Sequence, residues 1–154
     1  MTPKFVSAVA LTMMFAVPAT AQVVTASDPR SVMSALQDLG YRAELTTDSD
    51  GDPKIRSAID GTNYSIYFYG CRDNTDCRWI QFSTGWDLAK GTNLDAMNQW
   101  NRTKLFGEAT LDSENDPHLS YFFTLDGGMS RPIFDDTVDW WGVAIREFKD
   151  YINW

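Results

Sequence analysis

The sequence predicts an α+β domain in which an antiparallel sheet is combined with three helices, in the order helix, four strands, helix, two strands, helix. Several stretches carry apolar residues at every second position and are joined by short turns, which favours antiparallel strands. Three other stretches carry apolar residues at helical spacing. Because the strands are grouped and do not alternate one by one with helices, a parallel α/β fold is disfavoured.

The first helix and the first strand are predicted between residues 28 and 47. The helix begins at Asp28 and Pro29, because Asp is a favoured N-cap and Pro fits the first helical position. Gly40 suits the left-handed position that follows a helix. Residues 41–47 then alternate between apolar and polar side chains, which is typical of a strand with one buried face.

Three further strands are predicted over residues 54–60, 64–69 and 78–84. The strongest is YSIYFY, because aromatic and β-branched residues suit a pleated sheet. Its Tyr67 and Tyr69 lie on the face opposite Ile66, since side chains alternate along a strand. A sheet with so many aromatic residues on its second face is expected to have that face covered as well, by a helix or a partner chain.

The central helix is predicted to begin at Thr92 or Asn93, either of which can cap it, and to lead directly into a strand. Four positions share one helical face and place two amides among leucines. They are Leu94, Asn98, Asn101 and Leu105. Since a buried amide needs hydrogen-bond partners, we expect both amides to bond the adjoining strand or a loop. Together with Trp100, Asn98 and Asn101 are also candidates for a ligand-binding site.

The last two strands are predicted over residues 107–112 and 118–125, and the final helix begins at residues 130–132. This helix carries a long apolar stripe at helical spacing. The stripe is Phe134, Val138, Trp141, Ile145, Phe148 and Ile152. Trp140 lies off the stripe, so it is expected either at the rim of the core or in contact with a partner protein.

The first 21 residues have the pattern of a secretory signal peptide. Lys4 precedes an apolar run over residues 5–17, and the small residues that end at Ala21 predict cleavage before Gln22. The apolar run is too short to span a bilayer comfortably. We therefore expect a periplasmic or secreted protein in which residues 22–154 form a single domain.

The mature chain would be strongly acidic. It would hold 12 basic and 21 acidic residues, a net charge of about −9, because Lys4 is the only charged residue in the signal. Nucleic acids and anionic membrane surfaces bind proteins through clustered positive charge. The composition therefore argues against nucleic acid, and against a membrane after signal cleavage, as partners.

Cys71 and Cys77 are the two cysteines of the chain. In an exported protein such a pair is most simply a disulfide, which here would close the loop RDNTD between two strands. Five intervening residues fit neither the C-x-x-C redox motif nor a zinc site. We predict a structural disulfide between them.

Residues suited to catalysis or to metal binding are scarce. His118 is the single imidazole, so a Ser-His-Asp triad would have to use it. Asp48, Asp50 and Asp52 alternate in DSDGD, but the glycine and the twelfth residue do not fit an EF-hand loop. An acidic turn is therefore favoured over an opportunistic calcium site. The sequence predicts no catalytic set, no metal and no cofactor.

Several segments of the chain resemble the YbjN-type family, which is often labelled a bacterial sensory transduction regulator. They are GDPKI, GTNYSIYFYGC, NQWNRTKLFGEATLD and a GG that precedes a tryptophan-bearing helix. The resemblance extends over about residues 32–148. It implies a small α+β fold similar to class I type III secretion chaperones, which often dimerise through helix or sheet surfaces. It implies no catalytic residues.

Two functions remain open from the sequence. The first is an exported, non-enzymatic binding module, chaperone-like or regulatory, that holds a protein or peptide on an aromatic surface with Trp140 as a contact. Its partner surface could also serve a second copy of the chain, giving a homodimer. The alternative is a small-ligand binder or an enzyme whose site is built around Asn98, Trp100 and Asn101.

Overall fold

The computed structural model describes residues 23–154, so the predicted signal peptide and its cleavage site lie outside the described residues. The helices are α1 (Pro29–Asp38), α2 (Leu94–Thr103) and α3 (Arg131–Ile152). The strands are β1 (Val23–Val24), β2 (Ala43–Thr47), β3 (Pro53–Ile59), β4 (Thr62–Tyr69), β5 (Trp79–Gly85), β6 (Glu108–Leu111), β7 (Pro117–Thr124) and β8 (Met129–Ser130). Within this range no helix combines the length and the apolar character that a membrane span requires.

Six strands form one antiparallel sheet in the order β2-β3-β4-β5-β7-β6. The α+β class and the predicted order of the main elements are confirmed. Strands β2 to β5 form a meander, as their short turns indicate. The sequence prediction missed the two-residue strands β1 and β8, which pair with each other. Strand β1 precedes α1, and β8 directly precedes α3.

The first helix begins at its predicted cap, Asp28, and of the two caps predicted for the central helix the structure uses Asn93 rather than Thr92. The Oδ1 atom of Asp28 accepts a hydrogen bond from the backbone N–H of Arg30 at 3.1 Å. The Oδ1 atom of Asn93 accepts one from the N–H of Ala96 at 3.0 Å. Each cap satisfies a backbone donor that has no partner inside the first helical turn, so these residues set where the helices begin.

The core lies between one face of the sheet and the apolar stripe of α3. Phe82 of β5 contacts Trp141 of α3, with ring centroids 5.7 Å apart. On the same side, α1 packs against β2 and β3, and α2 packs against β6. Trp100 of α2 meets Phe148 of α3 edge to face at 4.8 Å, which fixes the two helices against each other.

The buried face of α2 differs from the predicted one. Met97 and Trp100 are its buried residues, whereas Leu94 is 67% exposed and Leu105 is fully exposed. The predicted stripe was wrong as a core face because α2 ends at Thr103, so Leu105 is no longer on the helix. The two amides of the stripe therefore do not lie among buried leucines.

The second face of the sheet carries no helix in residues 23–154, so of the two predicted covers the helix is wrong, and a partner chain stays a prediction. The aromatic residues on this face contact one another but stay partly exposed. Phe122 contacts the rings of Tyr69 and Trp79, with centroids 6.0 Å and 6.4 Å away. The Nζ atom of Lys54 also lies 4.5 Å from the centroid of the Tyr67 ring.

Candidate functional site

Trp100 and Asn101 use their polar atoms inside the domain. The Nε1 atom of Trp100 donates a hydrogen bond to the carbonyl of Gly107 at 3.0 Å. The side-chain amide of Asn101 donates to the Ala109 carbonyl at 2.9 Å and accepts from the Ala109 N–H at 2.8 Å. Asn101 thus pairs with the outer edge of β6 as a neighbouring strand would. Asn98 is exposed, and its side chain makes no hydrogen bond within the described residues.

An apolar groove of about 390 Å³ lies between α3 and the segment that joins α2 to β6. We call it the Trp140 groove. Its lining is Thr103, Lys104, Leu105, Phe106, Trp140, Val143, Ala144 and Glu147. Trp140 is 52% exposed, and Leu105 stands fully in solvent beside it. The groove brings Trp140 together with residues that the sequence did not indicate, and Asn98, Trp100 and Asn101 do not line it.

One end of the Trp140 groove is held by an ion pair. The Nζ atom of Lys104 lies 2.9 Å from Oε2 of Glu147, which joins the end of α2 to α3. The same ammonium lies 5.5 Å from the centroid of the Trp100 ring. Phe106, at the base of the groove, stacks on Tyr121 of β7 with centroids 3.8 Å apart. The groove walls are therefore fixed to the core rather than formed by a free loop.

A second groove, of about 460 Å³, lies on the open face of the sheet. We call it the arginine groove. Its polar lining residues include Arg42, Arg56, Asn63, Ser65, Ser83 and His118. They come from β3, β4, β5 and β7 and from the residue before β2, which the sheet register aligns across the face. Sequence reasoning missed this site, because its residues are polar and far apart in the chain.

His118 forms one wall of the arginine groove. A Cβ atom at Gly85 would lie 2.5 Å from Cε1 of His118, so only glycine leaves room for the imidazole to lie across β5. The Nε2 atom of His118 is 3.5 Å from Oδ2 of Asp112. Hydrogen bonds from the backbone N–H groups of Asp116 and Glu114 hold the pKa of Asp112 below its usual value, and His118 acts in the same direction.

Three buried polar atoms have no hydrogen-bond partner within residues 23–154. They are Ser57 Oγ, Tyr64 OH and Trp141 Nε1. Burial raises the pKa of Tyr64 to about 12, while the nearby Ser57 hydroxyl acts in the opposite direction without forming a hydrogen bond of ordinary geometry. Tyr64 is therefore a neutral core residue at physiological pH. It packs against Trp141 with ring centroids 6.0 Å apart.

The predicted disulfide between Cys71 and Cys77 is present. It closes the loop between β4 and β5, in which the side chains of Arg72 and Asp76 form an ion pair. A disulfide of this kind is typical of proteins in an oxidising compartment.

The acidic turn after β2 uses its side chains locally. Oδ1 of Asp48 accepts hydrogen bonds from the backbone N–H groups of Asp50 and Asp52, at 2.9 Å and 3.0 Å. Asn74 donates from Nδ2 to Oδ1 of Asp52 at 2.8 Å, which ties this turn to the disulfide loop. The described residues hold no group of three or more His, Cys, Asp or Glu side chains arranged to bind a metal ion.

Comparison with known proteins places the chain in one family. Comparison with curated proteins gave no match. The family model YbjN, described as "Putative bacterial sensory transduction regulator", matches residues 28–154. The matched range contains the three helices, the whole six-stranded sheet and both grooves. This chain, with its two grooves, therefore belongs to the YbjN family.

Proposed function

We propose that this chain is an exported, non-enzymatic binding module, chaperone-like or regulatory, that holds a segment of another protein in the Trp140 groove. The observation that carries the proposal is the exposure of Trp140 and Leu105 on the walls of one apolar groove. Contiguous apolar surface in contact with water is typical of sites that a partner covers. The family description as a regulator supports a role in binding.

The groove suits the apolar side of an amphipathic segment. Tryptophan is among the residues that most often dominate the energy of a protein interface, and Trp140 lines this groove. Exposed Asp136 lies one helical turn before Trp140 on α3 and forms no ion pair within residues 23–154. Its charge favours a segment that carries Lys or Arg beside a bulky apolar anchor.

A second copy of the chain fits the groove less well. The mature sequence has a net charge of about −9, so two copies repel each other, and the acidic residues near Trp140 would be brought together. The experiment must therefore distinguish a second copy of the chain in this groove from a segment of another protein.

We propose that the protein works in the periplasm or outside the cell, after removal of residues 1–21. The signal-like pattern that ends at Ala21 and the disulfide between Cys71 and Cys77 support export into an oxidising compartment.

The alternative site around Asn98, Trp100 and Asn101 has less support. Trp100 is buried, and both Trp100 and Asn101 bond the backbone of residues 107–109. Those polar atoms are therefore occupied within the domain, which leaves Asn98 as the free group of the three.

The proposal is tested by crosslinked capture from the periplasm with the oxidised mature protein, its Trp140→Ala variant and its Trp154→Ala variant. Trp154 is the matched control, because it is 58% exposed but does not line the groove. We expect one protein to be enriched by the wild type and Trp154→Ala but not by Trp140→Ala, with crosslinks to the groove. A partner retained equally by Trp140→Ala, or self-crosslinks alone, would contradict the proposal.

A further inference from the structure

We propose that the arginine groove is a second binding site, which takes a small hydroxylated organic anion such as a sugar phosphate or a sugar acid. The carboxylate or phosphate lies between Arg42 and Arg56, and the hydroxyl groups lie on the polar floor of the groove. This site is separate from the Trp140 groove, because it lies on the face of the sheet that the helices leave open.

The charge of the groove lining favours an anion. The chain is acidic overall, yet the lining of this groove includes Arg42, Arg56 and His118 and no Asp or Glu. Arg42 and Arg56 form no ion pair within residues 23–154. Four other arginines, Arg72, Arg78, Arg131 and Arg146, are each paired with an aspartate. The two groove guanidinium groups are thus free to bind an anion.

The geometry of the sheet sets the two arginines close together. Register pairs Ala43 with Ser57 and Glu44 with Arg56, so Arg42, one residue before β2, is diagonal to Arg56 on the same face. Glu44 is the carboxylate opposite Arg56, and no ion pair joins them. A guanidinium group binds a carboxylate or a phosphate through two parallel hydrogen bonds, which makes arginine well suited to this role.

The floor of the groove carries polar side chains that suit the hydroxyl groups of a ligand. Ser65 and Ser83 are cross-strand partners, and Asn63 lies two residues before Ser65 on the same face. None of these three side chains makes a hydrogen bond within the described residues. These neighbouring hydroxyl and amide groups can form hydrogen bonds with the hydroxyl groups of a ligand, whereas an anion without hydroxyl groups would leave them without partners.

His118 closes one end of the site. Its ring lies across Gly85, and Asp112 is near enough to orient it. The volume of about 460 Å³ falls in the range of small-molecule pockets and accommodates one sugar ring with its acidic group. A small ligand is therefore favoured over an extended chain.

The experiment is calorimetric and NMR titration of the oxidised mature protein with four probes: glucose 6-phosphate, glucuronate, glucose and inorganic phosphate. We expect the two acidic sugars to bind and to shift the signals of Ser65 and Ser83. Glucose and inorganic phosphate should bind at least about tenfold more weakly, because each lacks one half of the recognised chemistry. Glucose binding equal to that of the acidic sugars, or phosphate binding equal to that of glucose 6-phosphate, would overturn the proposal.

The variants locate the site. Arg42→Ala and Arg56→Ala should each weaken the binding of acidic sugars by about tenfold or more. Arg102→Ala is the matched control, since Arg102 also forms no ion pair within the described residues but lies on α2, outside the groove. Circular dichroism checks that each variant is folded. No binding of either acidic sugar to the wild type, or equal losses in all three variants, would show that the groove is not the site.

Discussion

Replacement of Asn101 by alanine is expected to destabilise the domain, although the residue is on the surface. The substitution removes two hydrogen bonds, of 2.9 Å and 2.8 Å, between the side chain and the backbone of Ala109. Each such bond contributes about 1 kcal/mol net, so we expect a loss of about 2 kcal/mol in the free energy of unfolding. For a domain of this size that corresponds to a fall of about 6 °C in Tm.

Asn98→Ala is the matched control on the same helix. Asn98 is exposed and makes no side-chain hydrogen bond within residues 23–154, so its replacement should change the free energy of unfolding by less than about 0.5 kcal/mol. Asn101→Asp gives a second check, because it places an oxygen against the Ala109 carbonyl where the wild type has a donor. We expect it to be at least as destabilising as Asn101→Ala.

The assay is urea unfolding followed by tryptophan fluorescence, with linear extrapolation to zero denaturant. If Asn101→Ala and Asn98→Ala proved equally stable, the claim that Asn101 holds the edge of β6 would be refuted. If Asn101→Ala were also to abolish a binding activity without loss of stability, the site around Asn98, Trp100 and Asn101 would become the better explanation of these residues.

Three further outcomes are expected. Replacing Cys71 and Cys77 together by serine should lower the free energy of unfolding by about 2 kcal/mol in urea, since the short loop is no longer closed in the unfolded chain, and an unchanged midpoint would contradict this. Above pH 10 the unfolded chain loses the Tyr64 proton, whereas the folded chain keeps it because the pKa of Tyr64 in the folded state is about 12. The free energy of unfolding should therefore fall as the pH rises above 10, and it should fall less in Tyr64→Phe. Equal falls in both proteins would show that Tyr64 does not cause the effect. Gly85→Ala should displace the His118 ring from the arginine groove, and the pKa of Asp112, measured by carboxyl NMR, should rise only in part, because the backbone bonds from Asp116 and Glu114 remain. A full return of the Asp112 pKa to its usual value would show that the backbone bonds from Asp116 and Glu114 are not its main cause.

The parts of the fold that depend on local patterns could be predicted from the sequence. Alternation of side chains locates the strands of the meander, and the caps Asp28 and Asn93 locate the starts of two helices. The disulfide between Cys71 and Cys77 follows from two cysteines at neighbouring strand ends. These signals act over a few residues, so neighbouring parts of the chain do not alter them.

The errors arose where the outcome depends on distant residues. The stripe from Leu94 to Leu105 looks like a buried helical face, but the position of Trp100 against Phe148 decides which side of α2 is buried. The arginine groove depends on the register of strands far apart in sequence, and polar residues at alternate strand positions give no sign of it. The position of Trp140 off the apolar stripe could be predicted, whereas the exposure of Leu105 could not.

Regulation through the two proposed grooves would require a free-energy coupling between them. Tyr64 is the residue that connects them most directly: it borders the arginine groove, and its ring packs on Trp141, the neighbour of Trp140. A close-packed core transmits a displacement only if it has a second arrangement to adopt. Ser57, Tyr64 and Trp141 each have a buried polar atom without a hydrogen-bond partner within residues 23–154, so a displacement there would break no hydrogen bond of those atoms. Because linkage is reciprocal, an anion that changes the affinity for the protein segment must have its own affinity changed by the same factor, so either titration measures the coupling.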